Sequence, residues 1–480
     1  MEENYRKLCQ VFTPTENVKE LLDWCDYREN LYGKKIMENS CGDGHILQEV
    51  VKRYIEDCLK NKFSKYKIKD GLNNDIYAIE YDSEQYDKCK KNLNTILKQY
   101  NIGNIKWSNI INDDTLKNEN TQKFDFVVGN PPYIKYKSLS IEDRNYIKNK
   151  FKTCKSGKFD YCYAFIEKSI DSLKDDGMMA YLIPSSVFKN VFAEELRQYI
   201  KPHILRIYDY TSIKLFTKET INQDRLTSSS VMILKKNSNE DDIEYIDIAE
   251  NNTLKIQKNN LVKKWIFKEN TTDESKKNKF SDYFYASNTI ATLYNKAYVI
   301  SQYTETDEYI CTKDEYEIEK DILRDTISPK NFKKGKKEKI IFPYYYENGE
   351  LRRYSQEDFE ERFPKACKYL KKYSVFLENR KSDKNAKWFE YGRSQALRNS
   401  NREKILLSTV ITNEVKLEIL SEDNIPYSGI YIIQKGNKSL KVAEKILKSD
   451  NFFKYIQTKG INASGNSLRI TSQDINEFMF

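Results

Sequence analysis

The stretch Phe124-Asp125-Phe126-Val127-Val128-Gly129-Asn130-Pro131-Pro132-Tyr133 decides how this chain is read. Phe124 to Val128 is an apolar run short enough for one buried strand. Two successive prolines can neither continue a strand nor enter a helix interior. The chain must therefore leave the sheet at Asn130 in a fixed, extended loop. That brings a carboxamide, a proline carbonyl with no competing local N–H and an aromatic face into one rigid corner. Such a corner suits a planar group bearing an exocyclic amine. The amino nitrogen of a nucleobase is a poor nucleophile, because its lone pair is delocalised into the ring. Two acceptors, the Asn130 side-chain oxygen and the Pro131 carbonyl, draw such a nitrogen towards tetrahedral geometry and aim its lone pair. Tyr133 supplies a stacking face. Positioning and aimed dipoles are recognised sources of rate. Asn-Pro also ends strands as a plain turn, so the tetrapeptide is weighed with what precedes it.

Upstream, strand and helix signals alternate. Lys35-Ile36-Met37 is a short strand, and Gly42-Asp43-Gly44 turns it into a helix from His45 to about Leu59. Asp75 to Ile79 is a second strand, followed by a polar helix near 83–99. Downstream, Tyr161 to Leu173 is helical by spacing, Asp175-Asp176-Gly177 ends it, and Met178 to Ile183 is again a strand. Leu205 to Tyr210 and Ser228 to Leu234 add β-rich runs. This alternation predicts an α/β fold with a doubly wound, mostly parallel sheet over residues 1–240.

Three features before Asn130 point to a bound cofactor. Glu38-Asn39-Ser40-Cys41-Gly42-Asp43-Gly44 joins a strand to a helix, where small residues let a ligand approach the backbone. Glu80 ends the second strand, where an acidic residue can hold two ribose hydroxyls. Asp113-Asp114-Thr115-Leu116 follows another β-like stretch, where a carboxylate can accept from an adenine amine. Each acid alone is more often a solvated strand end. Their order, all before Asn130, is the informative part.

Composition sets outer limits. The chain has 480 residues, 39% hydrophobic and 13% aromatic, enough for two or three domains with cores. Its net charge of +9 is mild for this size, so any nucleic-acid surface is a local patch. No apolar run approaches the ~18 residues of a membrane span, and Met1-Glu2-Glu3-Asn4 lacks the pattern of a secretory leader. Nine cysteines without a Cys-x-x-Cys pair read as reduced thiols, with no zinc site and no disulfide frame. Two histidines, His45 and His203, leave little for a His-based metal or catalytic centre.

Residues 241–279 are polar and patchy and read as a connecting segment. From 280 to 480 strands and helices mix, aromatics are dense, as in Phe342-Pro343-Tyr344-Tyr345-Tyr346, and basic clusters interleave. This half reads as a separate α+β domain. Lys333, Lys334, Lys336 and Lys337 are candidate phosphate contacts, while Tyr344 to Tyr346 suit packing better. Arg393 and Gln395 carry donors and acceptors that base edges accept.

With these segments in place, the chain resembles the γ-class, TaqI-like adenine-N6 DNA methyltransferases. The matching elements, in family order, are Val11-Phe12-Thr13-Pro14, Glu38 to Gly44, Glu80, Asp114-Thr115-Leu116 and Asn130 to Tyr133. Asp176 to Ser186, Asp209-Tyr210 through Phe216, and Ser228 to Val231 resemble later elements. The C-terminal half resembles the TaqI-like specificity domain more loosely, at Ile340 to Tyr344, Tyr369 to Arg380, Trp388 to Gln395 and Lys404-Ile405. The resemblance implies a Rossmann-like sheet that binds S-adenosyl-L-methionine through Thr13, Glu38, Cys41, Gly42, Gly44, Glu80, Tyr81 and Asp114. It implies catalysis by Asn130, Pro131, Pro132 and Tyr133, with Tyr133 and Phe216 on the two faces of an extruded adenine. It implies double-stranded DNA as partner, read by a C-terminal target-recognition domain. It also implies a bacterial, cytoplasmic, nucleoid-associated enzyme without a metal, either orphan or paired with a cognate restriction endonuclease on a separate chain.

Two departures from the family pattern stand out: Asn39 replaces a proline and Thr115 replaces a phenylalanine. Three other readings stay open at this point. One is an amino-methyltransferase acting on RNA or on a protein glutamine. Another is a non-catalytic DNA-specificity protein. The third is a fused restriction–modification enzyme, for which no Asp…Glu-x-Lys segment stands outside the two domains.

Overall fold

A computed structural model of the chain describes residues 14–213, 228–267, 278–332, 338–464 and 467–480. The chain divides into two compact units, Met1–Glu269 with Ile461–Asn466, and Asn270–Gly460 with Ser467–Phe480.

In the first unit, nine strands form one sheet. They are β1 (Ile36–Glu38), β2 (Ile76–Glu80), β3 (Ile110–Asn112), β4 (Phe124–Gly129), β5 (Leu173–Pro184), β6 (Ile204–Asp209), β7 (Ser229–Lys235), β8 (Asp242–Asp247) and β9 (Asn252–Gln257). Their spatial order is β3-β2-β1-β4-β5-β7-β6-β8-β9. β1, β2, β3, β4 and β5 pair parallel. β7 is antiparallel to both its neighbours, and β9 is antiparallel to β8. The expected α/β, mostly parallel sheet is therefore what the chain forms.

Alternation along the central strands explains why the sheet is covered on both faces. Met37, Ile79, Val127, Met179 and Tyr181 join a cluster with Phe165, Ile166, Ile170 and Leu196, which lie on helices Cys162–Ser172 and Glu194–Ile200. Their strand neighbours Ile36, Ala78, Val128, Ala180 and Leu182 join Val18, Leu21, Leu47, Val50, Ile68 and Leu93 on the opposite face. Those come from α1 (Thr15–Trp24), α2 (His45–Lys60), α3 (Lys65–Asp75) and α4 (Ser83–Gln99). The start of α4 is fixed by Asp82, whose side chain accepts from the N–H groups of Glu84 and Gln85.

Among the parallel strands, the strand order reverses between β1 and β4. β1 leads to β2 on one side, while β4 lies on its other side. Loops at the carboxyl ends of β1 and β4 thus diverge around the switch point, where open α/β sheets place ligands.

Three details differ from the expectations. The strand after Asp175-Asp176-Gly177 begins earlier, at Leu173, with a register irregularity against β4 and a left-handed Asp176 at φ 63°. The turn is absorbed as a kink in the strand. The helix Ile141–Lys150 has little apolar periodicity, because Ile147 is its single buried apolar side chain, and it was not expected. Most consequentially, part of the segment 241–279 belongs to the sheet. Ile243 and Tyr245 alternate inwards from β8, and Tyr245 stacks on Phe267 at 4.7 Å. Trp265 is buried against Phe188. Intervening charged residues mask this period in the sequence. A catalytic fragment ending near 240 would strip these residues from the core, so it should extend through 267.

The second unit is α+β. Phe284–Asn288, Ile430–Gln434, Lys404–Leu407 and Leu417–Leu420 form an antiparallel sheet in that order. Helices Leu440–Leu447 and Asp450–Lys459 bury Leu440, Ala443, Leu447, Phe452 and Ile456 in the same cluster as Phe284, Ile405 and Ile432. A second cluster is aromatic. Within it, Tyr391 donates its hydroxyl to the Ile341 carbonyl at 2.7 Å, and its N–H to the Tyr344 hydroxyl at 2.9 Å. Tyr344 is thus a core residue.

Lys404 is buried in this unit, with its ammonium donating to the carbonyls of Ser421, Glu422 and Asn424 at 3.0, 3.3 and 2.7 Å. Burial pushes its pKa down to about 8. Between that value and the ordinary lysine range the folded chain binds fewer protons than the unfolded one, so this group's contribution to stability rises with pH there. The stability difference between wild type and Lys404→Met in urea unfolding should therefore shift in favour of wild type from pH 7 to pH 10. A flat difference would contradict it.

Candidate active site

The carboxyl end of β1 carries Glu38 into the loop Asn39 to Gly44. Gly42 and Gly44 take left-handed φ of 55° and 83°, which glycine adopts without strain. They serve different purposes. A Cβ on Gly44 would lie 2.6 Å from Cys89 Sγ, so Gly44 lets α4 approach the loop. A Cβ on Gly42 would meet nothing within 4 Å, leaving an open cradle over its backbone.

Glu80 ties this loop to the end of β2. Its Oε2 accepts from Gly42 N–H and its Oε1 from Asp82 N–H, both at 2.8 Å. Burial raises the Glu80 pKa, and the Asp82 and Gly42 amides oppose that rise. Each oxygen keeps a lone pair for a further donor. Tyr81, next in sequence, is about half exposed. Asp114 is partly buried, and its Oδ1 accepts from Leu116 N–H at 3.0 Å, which orients the carboxylate.

Two acceptors near this loop have no internal partner. Glu38 Oε2 and Asp43 Oδ1 are buried and lack a hydrogen-bond partner among the described residues. Glu38 is 2% exposed. Burial, with the nearby Cys89, Glu80 and Asp43, holds its carboxyl well above the usual carboxylate range. Buried orphan acceptors are costly. Those of Glu38 and Asp43, beside the Gly42 cradle and the Glu80 oxygens, fit a ligand rich in donors and positive charge. S-adenosyl-L-methionine, with its ribose hydroxyls, ammonium and sulfonium, is such a ligand. Cys41 is buried, with its Sγ 3.9 Å from Cys89 Sγ, and thus serves packing beneath the loop. Thr13 lies outside the described residues.

β4 delivers Asn130 to Tyr133 beside this loop. Glu38 and Val128 are register partners, so the two loops leave adjacent parallel strands. Ser40 Oγ reaches the Asn130 carbonyl at 3.4 Å. Asn130 is half-buried, Pro131 buried and Pro132 half-buried. Tyr133 donates its hydroxyl to the Leu182 carbonyl of β5 at 3.0 Å, and its ring packs against the cluster on that face. Burial raises its pKa, so it stays a neutral phenol. An aromatic ring held at both ends is a fixed stacking platform. Phe216, expected opposite it, lies outside the described residues.

The two departures from the family pattern meet in space. Thr115 Oγ1 donates to the Asn39 carbonyl at 2.5 Å. The Asn39 carboxamide donates to Ser169 Oγ at 2.8 Å and accepts from the Tyr181 hydroxyl. Ser169 in turn donates to the Phe165 carbonyl at 2.7 Å. All four side chains are buried. The network holds the loop where the family uses proline stiffness. The Tyr181 ring also lies under Gly129, where an added Cβ would be 3.3 Å away. Tyr181→Phe leaves a buried Asn39 acceptor short of its donor. It should destabilise the first unit by about 1–2 kcal/mol in urea unfolding, whereas Tyr66→Phe, at an exposed ring of the same unit, should be neutral; equal effects would deny the network.

The candidate reading residues of the second unit are less gathered. Lys333, Lys334, Lys336 and Lys337 lie outside the described residues. Arg393 donates to Asp383 Oδ1 at 2.8 Å, while Ser394 N–H and Oγ bind the other Asp383 oxygen. Arg393 is thus partly engaged in fixing its own loop, and Gln395 is exposed beside it. No helix among the described residues is long and apolar enough to cross a membrane.

Residues 28–216 match the family described as Eco57I restriction-modification methylase. Over 519 residues the chain is 23% identical to the Type II restriction enzyme and methyltransferase RM.Eco57I of Escherichia coli, covering 87% of this chain and 51% of that protein. It is 31% identical over 254 residues to the Type II methyltransferase M.HindII of Haemophilus influenzae, covering 52% of this chain and 40% of the relative. The chain therefore spans about half the length of these relatives, or less. The Type IIL restriction-modification enzyme MmeI, solved in complex with DNA, shares the fold with a TM-score of 0.62 at 12% identity, covering 96% of this chain and 64% of that one.

Proposed function

We propose that this chain, whose residues 28–216 match the Eco57I restriction-modification methylase family, is an S-adenosyl-L-methionine-dependent DNA methyltransferase that modifies adenine N6. The carrying observation is the contact of the two loops at the switch point, with Ser40 Oγ on the Asn130 carbonyl at 3.4 Å. It sets the cradle of Gly42 and Glu80 beside the amine-gripping corner.

The cofactor, when bound, supplies an electrophilic methyl group on a sulfonium. Glu80 would hold its ribose, Glu38 would face its positive charge, and Asp114 would receive its adenine amine. Asn130 Oδ1 and the Pro131 carbonyl accept the two hydrogens of the target amine and aim its lone pair. Tyr133, fixed through Leu182, stacks on the base. Adenine N6 is occupied in base pairing within a duplex, so the base is extruded, at a cost of a few kcal/mol. Proton loss needs no strong base, because a methylated, cationic amine is far more acidic than the starting one.

The second unit would read the DNA site, in a cytoplasmic, nucleoid-associated setting. Support for a restriction–modification context comes from the relatives. The test is transfer of labelled methyl from S-adenosyl-L-methionine to duplex DNA, followed by digestion to nucleosides. N6-methyladenine is the expected product. Label confined to cytosine, RNA or a protein glutamine would overturn the assignment. A fragment ending at 267 should retain cofactor binding and lose site-specific modification.

A further inference from the structure

The 25 residues that follow the Asn130–Tyr133 corner hold most of the chain's net positive charge. Residues 134–158 contain eight basic side chains and two acidic ones, a net +6 within a chain whose total is +9. A charge run of this kind is usually a solvated face. Here the structure organises it, on the catalytic unit, two residues from the base platform.

The organising element is Tyr136. Its ring packs edge-on against the buried Phe159 at 5.2 Å. The Arg144 guanidinium lies 4.7 Å and the Lys148 ammonium 5.4 Å from its ring centroid. Arg144 spends its Nε and Nη2 on the carbonyls of Tyr136 and Lys137, at 2.9 and 2.8 Å. Those carbonyls pin the segment after Tyr133 to the helix Ile141–Lys150 but leave the guanidinium charge uncompensated. The β-bridge of Lys135 with Asp160, and the Tyr161 N–H on the Ile134 carbonyl at 2.9 Å, anchor the other side.

Carboxylates compensate only part of the charge. Lys135 pairs with Asp160 at 2.6 Å, and Lys150 approaches Glu119 at 3.9 Å. Lys137, Arg144, Lys148, Lys155 and Lys158 have no carboxylate within ion-pair distance among the described residues. Lys137, Lys155 and Lys158 are exposed. Cations held rigidly on an aromatic, without counter-charges, are poised for a polyanion rather than for internal stability.

We infer that this segment, Lys135 to Lys158 around Tyr136, is a contact surface for the phosphodiester backbone of duplex DNA. The inference rests on the reading of the chain as a DNA methyltransferase. It adds that the catalytic unit itself grips the strand beside the extruded base, independently of any reading of sequence. Phosphate contacts of this kind position a duplex and carry no sequence information.

The test is the salt dependence of binding to a fluorescein-labelled duplex of mixed sequence, with full-length Lys137→Gln/Lys148→Gln beside wild type. Two lost phosphate contacts should flatten the slope of log K against log salt by about 1.8, so that from about 50 to 200 mM salt wild type loses roughly tenfold more affinity than the variant. Lys60→Gln/Lys65→Gln makes the same charge change at the end of α2 and the start of α3, about 24 Å along α2 from the Gly44 loop. It should keep the wild-type slope. An unchanged slope in the first variant, or equal flattening in both, would overturn the surface. Tighter binding of duplex RNA through the same two lysines would overturn DNA as the partner. Methyl transfer is read in parallel on the same preparations. A flattened slope without transfer would remove the enzymatic reading and keep the surface; transfer with an unchanged slope would do the reverse.

Discussion

Asn130→Ala is expected to lower the rate of methyl transfer by about 10²–10³, or ~2.7–4 kcal/mol, the scale of losing one preorganised polar group at a reacting centre. The carboxamide sits at the carboxyl end of β4, with Pro131 buried behind it and its own carbonyl touched by Ser40 Oγ. On the proposed reading it is one of the two acceptors for the target amine, and the other, the Pro131 carbonyl, survives the substitution. The amine would then be gripped at one hydrogen, and its lone pair would stay in the ring. The Gly42 cradle is tied to the end of β2 by the Glu80 carboxylate. Affinity for S-adenosyl-L-methionine and for DNA should therefore move little, and the loss should appear in single-turnover rate. Turnover close to wild type in Asn130→Ala would remove this residue from the chemistry.

How far the fold was legible depended on how each element hides or shows its period. β4 and β1 could be read because they are buried on both faces and run into prolines or glycines. The helix Ile141–Lys150, polar on nearly every face, gives no periodic signal, and β3, three residues long, shows only as a short β-like stretch before Asp113. β8 and β9 alternate, but with charged residues outward, so a polar composition concealed sheet edges.

The candidate site divides in the same way. Glu80 and the glycine loop stand out by spacing along a βα repeat. The support beneath them does not, because its members are far apart in the chain: Asn39 meets Ser169 across 130 positions and Tyr181 across 142. The one available signal was that Asn39 and Thr115 depart from the family pattern together. A proline-to-asparagine change adds a carboxamide, whose donor and acceptor need partners once buried. Ser169 and Tyr181 provide them, and Thr115 Oγ1 donates to the Asn39 carbonyl.

Glu80 shows why the cofactor loop and its ligand should be lost together. Its two oxygens already accept from Gly42 N–H and Asp82 N–H, at 2.8 Å each, so the carboxylate shapes the cradle before any ribose arrives. Glu80→Ala removes both bonds and the negative charge. Cofactor affinity should fall by roughly 1.5–3 kcal/mol, the scale of a hydrogen bond to a charged group, or about 10- to 150-fold. Glu80→Gln is the sharper experiment. The amide has the same shape, yet its NH₂ must face one of two backbone donors, and a donor opposed to a donor is worse than none. The isosteric variant should therefore bind S-adenosyl-L-methionine no better than the alanine one in calorimetry, while both still bind DNA. If glutamine restores wild-type affinity, the carboxylate is not held as a double acceptor, and the ribose is not held by Glu80. If both variants lose DNA binding as well, the residue supports the unit as a whole, and the cofactor has been placed on the wrong carboxylate.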